Sequence, residues 1–178
     1  MGLAISRYLA DDGHKVAVLD LNGEAAARIA TELRSEGVTA VGTEVDVSDQ
    51  ASVAQAVETV RKELGPVAIL VTSAGIAPYH AFGDIDLATW NRVIAVNLTG
   101  TFLCVQAVID DMVDAGWGRI VTISSAAGQW GTPRMTHYTA AKGGVIALTK
   151  ALAKEYGPLG ITVNTLPNTF IFSLCGAH

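Results

Sequence analysis

The sequence predicts an α/β protein with a parallel sheet that carries helices on both faces. Short apolar segments alternate with segments of helical periodicity along the chain, which is typical of this class. Residues 67–71 are apolar without interruption, as in a strand that is covered on both faces. Half of the 178 residues are hydrophobic and 16% are charged, so the chain has enough apolar material for one buried core and is not disordered.

The first half of the chain contains two predicted strands among three helices. In order, these elements are a helix from about Leu3, a strand at 16–19, a helix at 24–35, a strand at 38–45 and a helix at about 50–64. Gly37 ends the second helix, and Gly65 ends the third. Ser48 or Asp49 is expected to cap the third helix, whose apolar residues fall on one stripe.

The second half continues the alternation with three further strands. The predicted elements are a strand at 67–71, a loop at 73–84, a long helix at 87–114, a strand at 119–123, a glycine-rich loop at 126–134, a helix at 136–156 and a strand at 160–164. Such alternation produces right-handed crossovers between parallel strands. The helix at 87–114 carries apolar residues on more than one face, including Phe102, Val105 and Ile109, so we expect it to pack against a second subunit.

Charge and cysteine usage exclude several functional classes. The net charge of −5 argues against a nucleic-acid partner. Cys104 and Cys175 cannot form a disulfide framework, which indicates a reducing, cytoplasmic location. The uncharged stretches at 64–83 and 157–178 are interrupted by glycine and proline, so no membrane partner is expected. No histidine stands at a metal-ligand spacing from a cysteine, and no metal is expected.

Functional side chains are expected directly after the strands. In parallel sheets, ligands bind beyond the carboxyl ends of the strands. That rule selects one rim, and its members are Asp20, Asp46, residues 73–75, Ser124 and Ser125.

The pair Tyr138 and Lys142 is the strongest chemical signal. Residues four apart on a helix share a face. A lysine ammonium beside a phenol favours the phenolate, so the tyrosine can give or take a proton near neutral pH. Alone, the pair is also compatible with a surface Tyr and Lys on an amphipathic helix. Ser125, which lies just past a predicted strand and thirteen residues before Tyr138, and Asn97 inside a predicted helix favour the chemical interpretation.

Together these residues resemble the short-chain dehydrogenase/reductase family. The matching segments are Asp20, Asp46-Val47, Thr72-Ser73-Ala74-Gly75, Val96-Asn97, Ser124-Ser125-Ala126-Ala127-Gly128, Tyr138-Thr139-Ala140-Ala141-Lys142 and Val163-Asn164-Thr165. The resemblance implies a Rossmann-like, doubly wound sheet and an NAD(P)-dependent oxidoreductase. It extends from residue 2 to about residue 168. Residues 1–169 are expected to be one domain, whereas residues 170–178 do not resemble the family.

The resemblance also implies a role for each catalytic candidate. Tyr138 is the general acid in reduction and the general base in oxidation. Ser125 hydrogen-bonds the substrate oxygen, while Ser124 has the alternative of a hydroxyl that faces the core. Lys142 assists Tyr138 and binds the nicotinamide ribose, and Asn97 holds a water in a proton relay. His137, Trp130 and Met135 either line the substrate mouth or pack in the core.

The cofactor implied by the resemblance is NAD rather than NADP. Asp20 follows Gly2 by 18 residues, close to the spacing of about 20 between a phosphate loop and the acid that binds the adenosine ribose. A carboxylate accepts hydrogen bonds from the ribose diol and repels a 2′-phosphate. The complete predicted cofactor set is Gly2, Asp20, Asp46, Val47, Ala74, Gly75, Tyr138 and Lys142. Asp20 could also cap a helix, and Asp46 could be a turn residue.

The sequence departs from the family at its ends. Of the family's T-G-x-x-x-G-x-G loop only the last glycine has a counterpart, Gly2. We therefore expect an incomplete sheet, without the first strand and the C-terminal part. The predicted function is the NAD(H)-dependent interconversion of a ketone and a secondary alcohol, in a homodimer or homotetramer. The first candidate substrate is a 3-oxoacyl thioester, and a polyol, a sugar or a cyclic alcohol is the alternative. The alternative is an inactive chain that acts only in subunit association.

Overall fold

The computed structural model describes residues 1–168, in which helices and parallel strands alternate. The elements are α1 (Gly2–Asp11), β1 (Val16–Asp20), α2 (Gly23–Ser35), β2 (Ala40–Glu44), α3 (Gln50–Leu64), β3 (Ile69–Thr72), α4 (Leu87–Ile94), α5 (Gly100–Ala115), β4 (Gly118–Ser125), α6 (Ala127–Trp130), α7 (Thr136–Tyr156) and β5 (Ile161–Asn168). The predicted α/β class is confirmed. Residues 170–178, for which no resemblance was found, lie outside the described residues.

The strands form two parallel sheets rather than one. β1 pairs with β2, and β4 lies between β3 and β5. Within residues 1–168, no strand pairs with the free edges of β1 and β3. Full burial of the strand after Gly65 is therefore a wrong expectation, because all four residues of β3 are only partly buried at this edge.

Each sheet has its own core. The main core joins α3 and α5 to the β3–β5 sheet, and its most deeply buried members include Met112, Ile120 and Ile161. A second, smaller core packs α2 on the β1–β2 sheet through Val16, Ala30, Leu33 and Ala40. α1 contributes no buried residue, because only part of its surface contacts β1.

The helix ends largely follow the sequence signals. The Asn22 side chain caps α2 by accepting from the backbone N–H of Ala25, at 3.0 Å. Of the two candidate caps of α3, Asp49 is the one used, since its carboxylate accepts from the N–H of Ala51 at 2.8 Å. Gly37 follows α2 with φ of 89°, which a side chain would strain.

The predicted long helix contains an irregular turn. α4 and α5 are joined by one π-helical segment, Ala95–Thr99, with Asn97 at its centre. Leu87–Ala115 is also the one helix in the described residues that is long and apolar enough to span a membrane, although 44% of its most apolar window is buried inside the fold. A core helix meets the same criterion.

Two other segments differ from the sequence prediction. The glycine-rich segment after β4 was predicted as a loop but contains the short helix α6. The outer apolar face of α5 is also smaller than predicted, because Val105 and Ile109 are buried within the subunit. Only Phe102, with 44% of its surface exposed, remains for an outside partner.

An ion pair fastens α3 to α5 and to the start of β3. Arg61 Nε donates to both carboxylate oxygens of Asp111, at 3.1 and 3.0 Å, and its Nη2 donates to the Ala107 carbonyl. The same carboxylate accepts the N–H of Val67 at 2.9 Å. Paired with Arg61 and bonded to Val67, Asp111 has a pKa below its usual range although burial opposes that shift.

Candidate active site

Asn97, at the centre of the π-helical segment, points into the interior, and its side-chain oxygen makes no hydrogen bond in the described fold. Its Nδ2 donates to the carbonyl of Ile76 at 2.9 Å and to that of Val93 at 3.0 Å. The side chain is completely buried, and Oδ1 has no hydrogen-bond partner within the described part of the chain. A buried acceptor without a partner is costly, so this oxygen is available to a donor that enters the site.

Lys142 is a buried cation beside that oxygen. Its Nζ donates to the Ile123 carbonyl at 2.8 Å and lies 5.7 Å from the centre of the Tyr138 ring. Only 5% of Lys142 is exposed, and this desolvation lowers its pKa from 10.5 to about 8. An ammonium in this state releases its proton far more readily than a surface lysine.

Gly75 has no side chain, and this lets Asn97 and Lys142 lie close to the rim of the sheet. A β-carbon at Gly75 would lie 2.6 Å from Asn97 Oδ1 and 3.6 Å from Lys142 Nζ. Any larger residue would collide with Asn97, so glycine is required here by close packing. Gly75 and Ala74 are exposed and lie just beyond β3, on the predicted rim.

The two serines at the end of β4 have different environments. Ser124 is buried and its hydroxyl donates to the Lys142 carbonyl at 2.8 Å, so it joins β4 to α7. Ser125 is the last residue of β4, and its Oγ accepts only the N–H of Ala127, at 3.2 Å. Ser125 therefore has a hydroxyl proton to give, whereas Ser124 uses its own in the fold.

Tyr138 stands in the first turn of α7 and is partly exposed, while its neighbour His137 faces the interior. The rings of His137 and His80 meet edge to face, with their centroids 6.0 Å apart. Met135 is buried as well, whereas Trp130 is 74% exposed. Of the three residues considered for a substrate mouth, His137 and Met135 are thus buried, and neither ring nitrogen of His137 has a hydrogen-bond partner within residues 1–168.

The other predicted cofactor residues lie at the β1–β2 end. Asp20 ends β1 with an exposed carboxylate that accepts the N–H of Asn22 at 2.9 Å. It lines an open cavity of about 540 Å³ together with Glu44, the last residue of β2. Glu44 was missed by the sequence analysis, because the rule selects residues beyond a strand and Glu44 lies inside the predicted strand at 38–45, as it does inside β2.

Asp46 and Val47 are engaged in local structure. The Asp46 carboxylate accepts from the hydroxyl of Ser48 at 2.6 Å and from its N–H at 2.9 Å, and these bonds lower the pKa of Asp46. Val47 packs against Gly100, where a β-carbon would lie 2.9 Å from Val47 Cγ2. The turn role considered for Asp46 is present, and its half-buried side chain still borders the rim.

Gly2 connects α1 to the same rim. It is the first residue of α1, and a β-carbon there would lie 3.2 Å from Ser73 Oγ. The N-terminus of α1 is thus adjacent to the segment that leads to Gly75.

Among residues 1–168, no cluster of His, Cys, Asp and Glu has the composition of a metal site. The Cys104 thiol is largely buried, which raises its pKa to about 11.

These residues fit a dinucleotide. Asp20 offers a free carboxylate to a ribose diol, and Gly75 gives a rim without side chains along which a ligand can approach. Beyond it stand the unpartnered Asn97 Oδ1 and the ammonium of Lys142. Three features therefore lie along the carboxyl ends of the strands. They are the N-terminus of α1, which can accept an anion, the Asp20 carboxylate, which can bind a diol, and the buried Lys142 ammonium.

Comparisons with known proteins agree with this reading. The family described as short chain dehydrogenase matches residues 1–171. The inactive 2-(S)-hydroxypropyl-CoM dehydrogenase 2 of Xanthobacter autotrophicus is 42% identical over 154 residues, which are 86% of this chain and 66% of the relative. The D-threitol dehydrogenase of Mycolicibacterium smegmatis is 38% identical over 176 residues, 99% of this chain and 68% of the relative.

Solved structures show the same similarity. The crystal structure of an NAD+-bound xylitol dehydrogenase superposes with a TM-score of 0.90 at 34% identity, over 95% of this chain and 65% of that one. The chain thus spans about two thirds of the length of these relatives.

Proposed function

The chain belongs to the short-chain dehydrogenase/reductase family, and on that premise we propose that it interconverts a secondary alcohol and a ketone with NAD(H). The observation that carries the proposal is that Lys142 Nζ lies close to Asn97 and Gly75 and 5.7 Å from the centre of the Tyr138 ring. Burial lowers the pKa of Lys142 to about 8, which suits an ammonium that exchanges its proton near neutral pH.

In this proposal the chain's own residues handle the proton. Tyr138 gives its hydroxyl proton to the carbonyl oxygen during reduction and takes the alcohol proton during oxidation. Ser125 donates a hydrogen bond to the same oxygen and fixes its position. NAD(H), when bound, supplies or accepts the hydride at the carbon.

Lys142 and Asn97 are proposed to return the proton. The Lys142 ammonium favours the Tyr138 phenolate, because opposite charges at short range stabilise each other in a site of low dielectric. Asn97 Oδ1 accepts a hydrogen bond from a water that connects Lys142 to solvent. This assignment gives the orphaned oxygen a partner, and it explains why glycine stands at position 75.

The other cofactor contacts are proposed at the rim. Asp20 binds the adenosine ribose, Asp46 and Val47 flank the adenine, and Gly2 with Ala74 and Gly75 borders the path between the two nucleotide halves. NAD is preferred over NADP because the cavity at Asp20 is lined by carboxylates. One relative is called a D-threitol dehydrogenase, so a polyol is the first substrate to assay and a 3-oxoacyl thioester the second.

The test compares two adjacent serines. The purified chain is mixed with NAD+ and a polyol, and formation of reduced nicotinamide is followed by absorbance. Ser125→Ala and Ser124→Ala each remove one buried hydrogen bond of about 1 kcal/mol, so both should lower Tm by a similar small amount, whereas only Ser125→Ala is expected to lower kcat, about 10²-fold. The inactive alternative predicts no turnover with any alcohol or ketone, even where NADH binds.

We also propose that the protein self-associates through α4, α5 and α7 and works in a reducing compartment such as the cytoplasm. Phe102 is the exposed apolar residue of α5 available for such contact. Phe102→Ser is expected to shift a dimer or tetramer toward monomer in light scattering, because it removes apolar area from the interface. A monomeric wild-type chain at micromolar concentration would contradict self-association.

A further inference from the structure

We propose that Glu44 is a second determinant of cofactor choice, which excludes a 2′-phosphate independently of Asp20. The inference rests on the proposed NAD(H) function. It adds Glu44 as a residue that weakens the binding of NADP(H) and does not contact NAD(H). It assigns to Asp20 the binding of the ribose diol and to Glu44 the rejection of the phosphorylated ribose.

The sheet register places the two carboxylates side by side. Asp20 and Glu44 are direct partners at the carboxyl ends of β1 and β2. Neighbouring strands lie about 4.8 Å apart, and partner residues project to the same face of a sheet. Both side chains are exposed and line the same cavity of about 540 Å³. A group on the ribose that contacts Asp20 therefore also meets the charge of Glu44.

Glu44 also occupies the beginning of α2. A β-carbon at Gly23, the first residue of that helix, would lie 2.9 Å from Glu44 Cβ and 3.2 Å from Glu44 Oε2. Only glycine at this position lets the carboxylate come so close. Free N–H groups and the helix dipole make such an end attractive to phosphate. In this chain the protein's own carboxylate stands there instead.

The rest of the cavity has no cationic side chain to compensate a phosphate. Its lining within residues 1–168 is Asp20, Leu21, Asn22, Gly23, Glu24 and Glu44, without a lysine or arginine. A phosphate monoester carries about −1.5 to −2 charges at neutral pH. Across several ångströms of partly hydrated space, its repulsion by one carboxylate corresponds to about a fivefold change in affinity.

The two carboxylates are expected to have different signatures. Asp20→Asn removes one of the two oxygens that can accept from the diol, together with one charge, so the affinity for NADH falls while that for NADPH rises. Glu44→Gln removes a charge that makes no contact with the diol in this proposal. It should tighten NADPH by about fivefold and change the ratio of the two Kd values mainly through NADPH.

The experiment measures direct binding, without turnover. The Kd values of NADH, NADPH, 5′-AMP and 2′,5′-ADP are determined by calorimetry, with NMR titration for weak ligands, on the wild-type chain and on Glu44→Gln, Asp20→Asn and the double variant. Glu58→Gln is the matched control, because it makes the same charge change on an exposed part of α3. Thermal unfolding confirms that each variant is folded.

Each outcome decides the inference. A shift in the NADPH-to-NADH and 2′,5′-ADP-to-5′-AMP ratios in Glu44→Gln, absent from Glu58→Gln, supports it. If NADH and 5′-AMP bind but Glu44→Gln leaves both ratios unchanged, the role of Glu44 is overturned while the proposed function stands. If none of the four ligands binds any variant, the proposed NAD(H) function fails and this inference fails with it.

Discussion

The two sheets place their functional side chains at opposite extremes of burial. On the β3–β5 sheet, Asn97 is fully buried and Lys142 is 5% exposed, above the larger core. On the β1–β2 sheet, Asp20 and Glu44 are exposed, and the core beneath them is small. Burial gives Lys142 the shifted pKa that proton chemistry near neutral pH uses, whereas selection between charged ligands works through exposed charge. Under the proposed function, the reaction would thus take place at one sheet and the recognition of the cofactor at the other.

The largest effect is expected from Tyr138→Phe, which tests whether turnover can be abolished while the affinity for the cofactor is unchanged. The ring and its packing remain and only the hydroxyl is lost. Turnover should fall about 10²–10⁴-fold while the Kd of NADH stays close to that of the wild type. Steady-state kinetics and a fluorescence titration with NADH give the two numbers. A turnover within about threefold of wild type would remove Tyr138 from the mechanism.

Paired truncations in the two cores test whether the halves differ in stability. Met112 and Leu33 are nearly inaccessible, at 0% and 2% exposure, in the larger and the smaller core respectively. Each change to alanine should cost about 2–5 kcal/mol. Met112→Ala should lower the global free energy of unfolding, whereas Leu33→Ala should mainly accelerate amide exchange in β1, β2 and α2. Equal acceleration of exchange in both sheets would show that they unfold as one unit.

The buried lysine gives a pH dependence of stability. The pKa of Lys142 is lowered from 10.5 to about 8 on folding, so the unfolded chain binds more protons between these values. The destabilisation is fully present below pH 8 and disappears as the pH rises toward 10.5. Relative to Lys142→Met, the wild type should gain about 2–3 kcal/mol between about pH 7 and about pH 10, measured by urea unfolding. A constant difference would mean that Lys142 titrates normally.

The smallest effect is expected from Asp20→Ala, at the exposed end. It removes the diol acceptor, so kcat/KM with NAD+ should fall about tenfold while that with NADP+ improves. Steady-state kinetics with both cofactors measures the ratio. An unchanged preference would assign recognition to other residues of the cavity.

Periodicity alone predicted most of the elements, because apolar spacing reflects local burial. It located β1 and β4 closely, and α7 at its observed ends, Thr136–Tyr156. It could not predict the π turn at Asn97, since one extra residue per turn leaves no clear mark in an apolar pattern. It also misjudged Val105 and Ile109, because an apolar face can be covered by the same subunit as well as by a partner.

The candidate site was predicted in part from the rim rule and in part from the resemblance. Residues directly after strands, such as Asp20 and Gly75, follow from parallel topology. The different uses of Ser124 and Ser125 do not, because adjacent strand residues differ only in the face to which they point. Glu44 was missed because it lies within the strand, and only the register of β1 and β2 shows that it is the partner of Asp20.

Asn97 has a consequence for how this chain could change over generations. Its amide nitrogen supports the helix by bonding the Val93 and Ile76 carbonyls, and its oxygen is left for the site. Replacement by aspartate removes the two donated hydrogen bonds. Replacement by leucine removes these two bonds and also the oxygen that is left for the site. A descendant that no longer needed the reaction would still be held to asparagine by the helix. Asn97 is thus preserved by the fold as well as by the chemistry, so its presence alone is a poor marker of a catalytically active descendant. Tyr138 is partly exposed and its side chain makes no hydrogen bond in the described fold, so it would be among the first residues to be substituted once the activity was no longer needed.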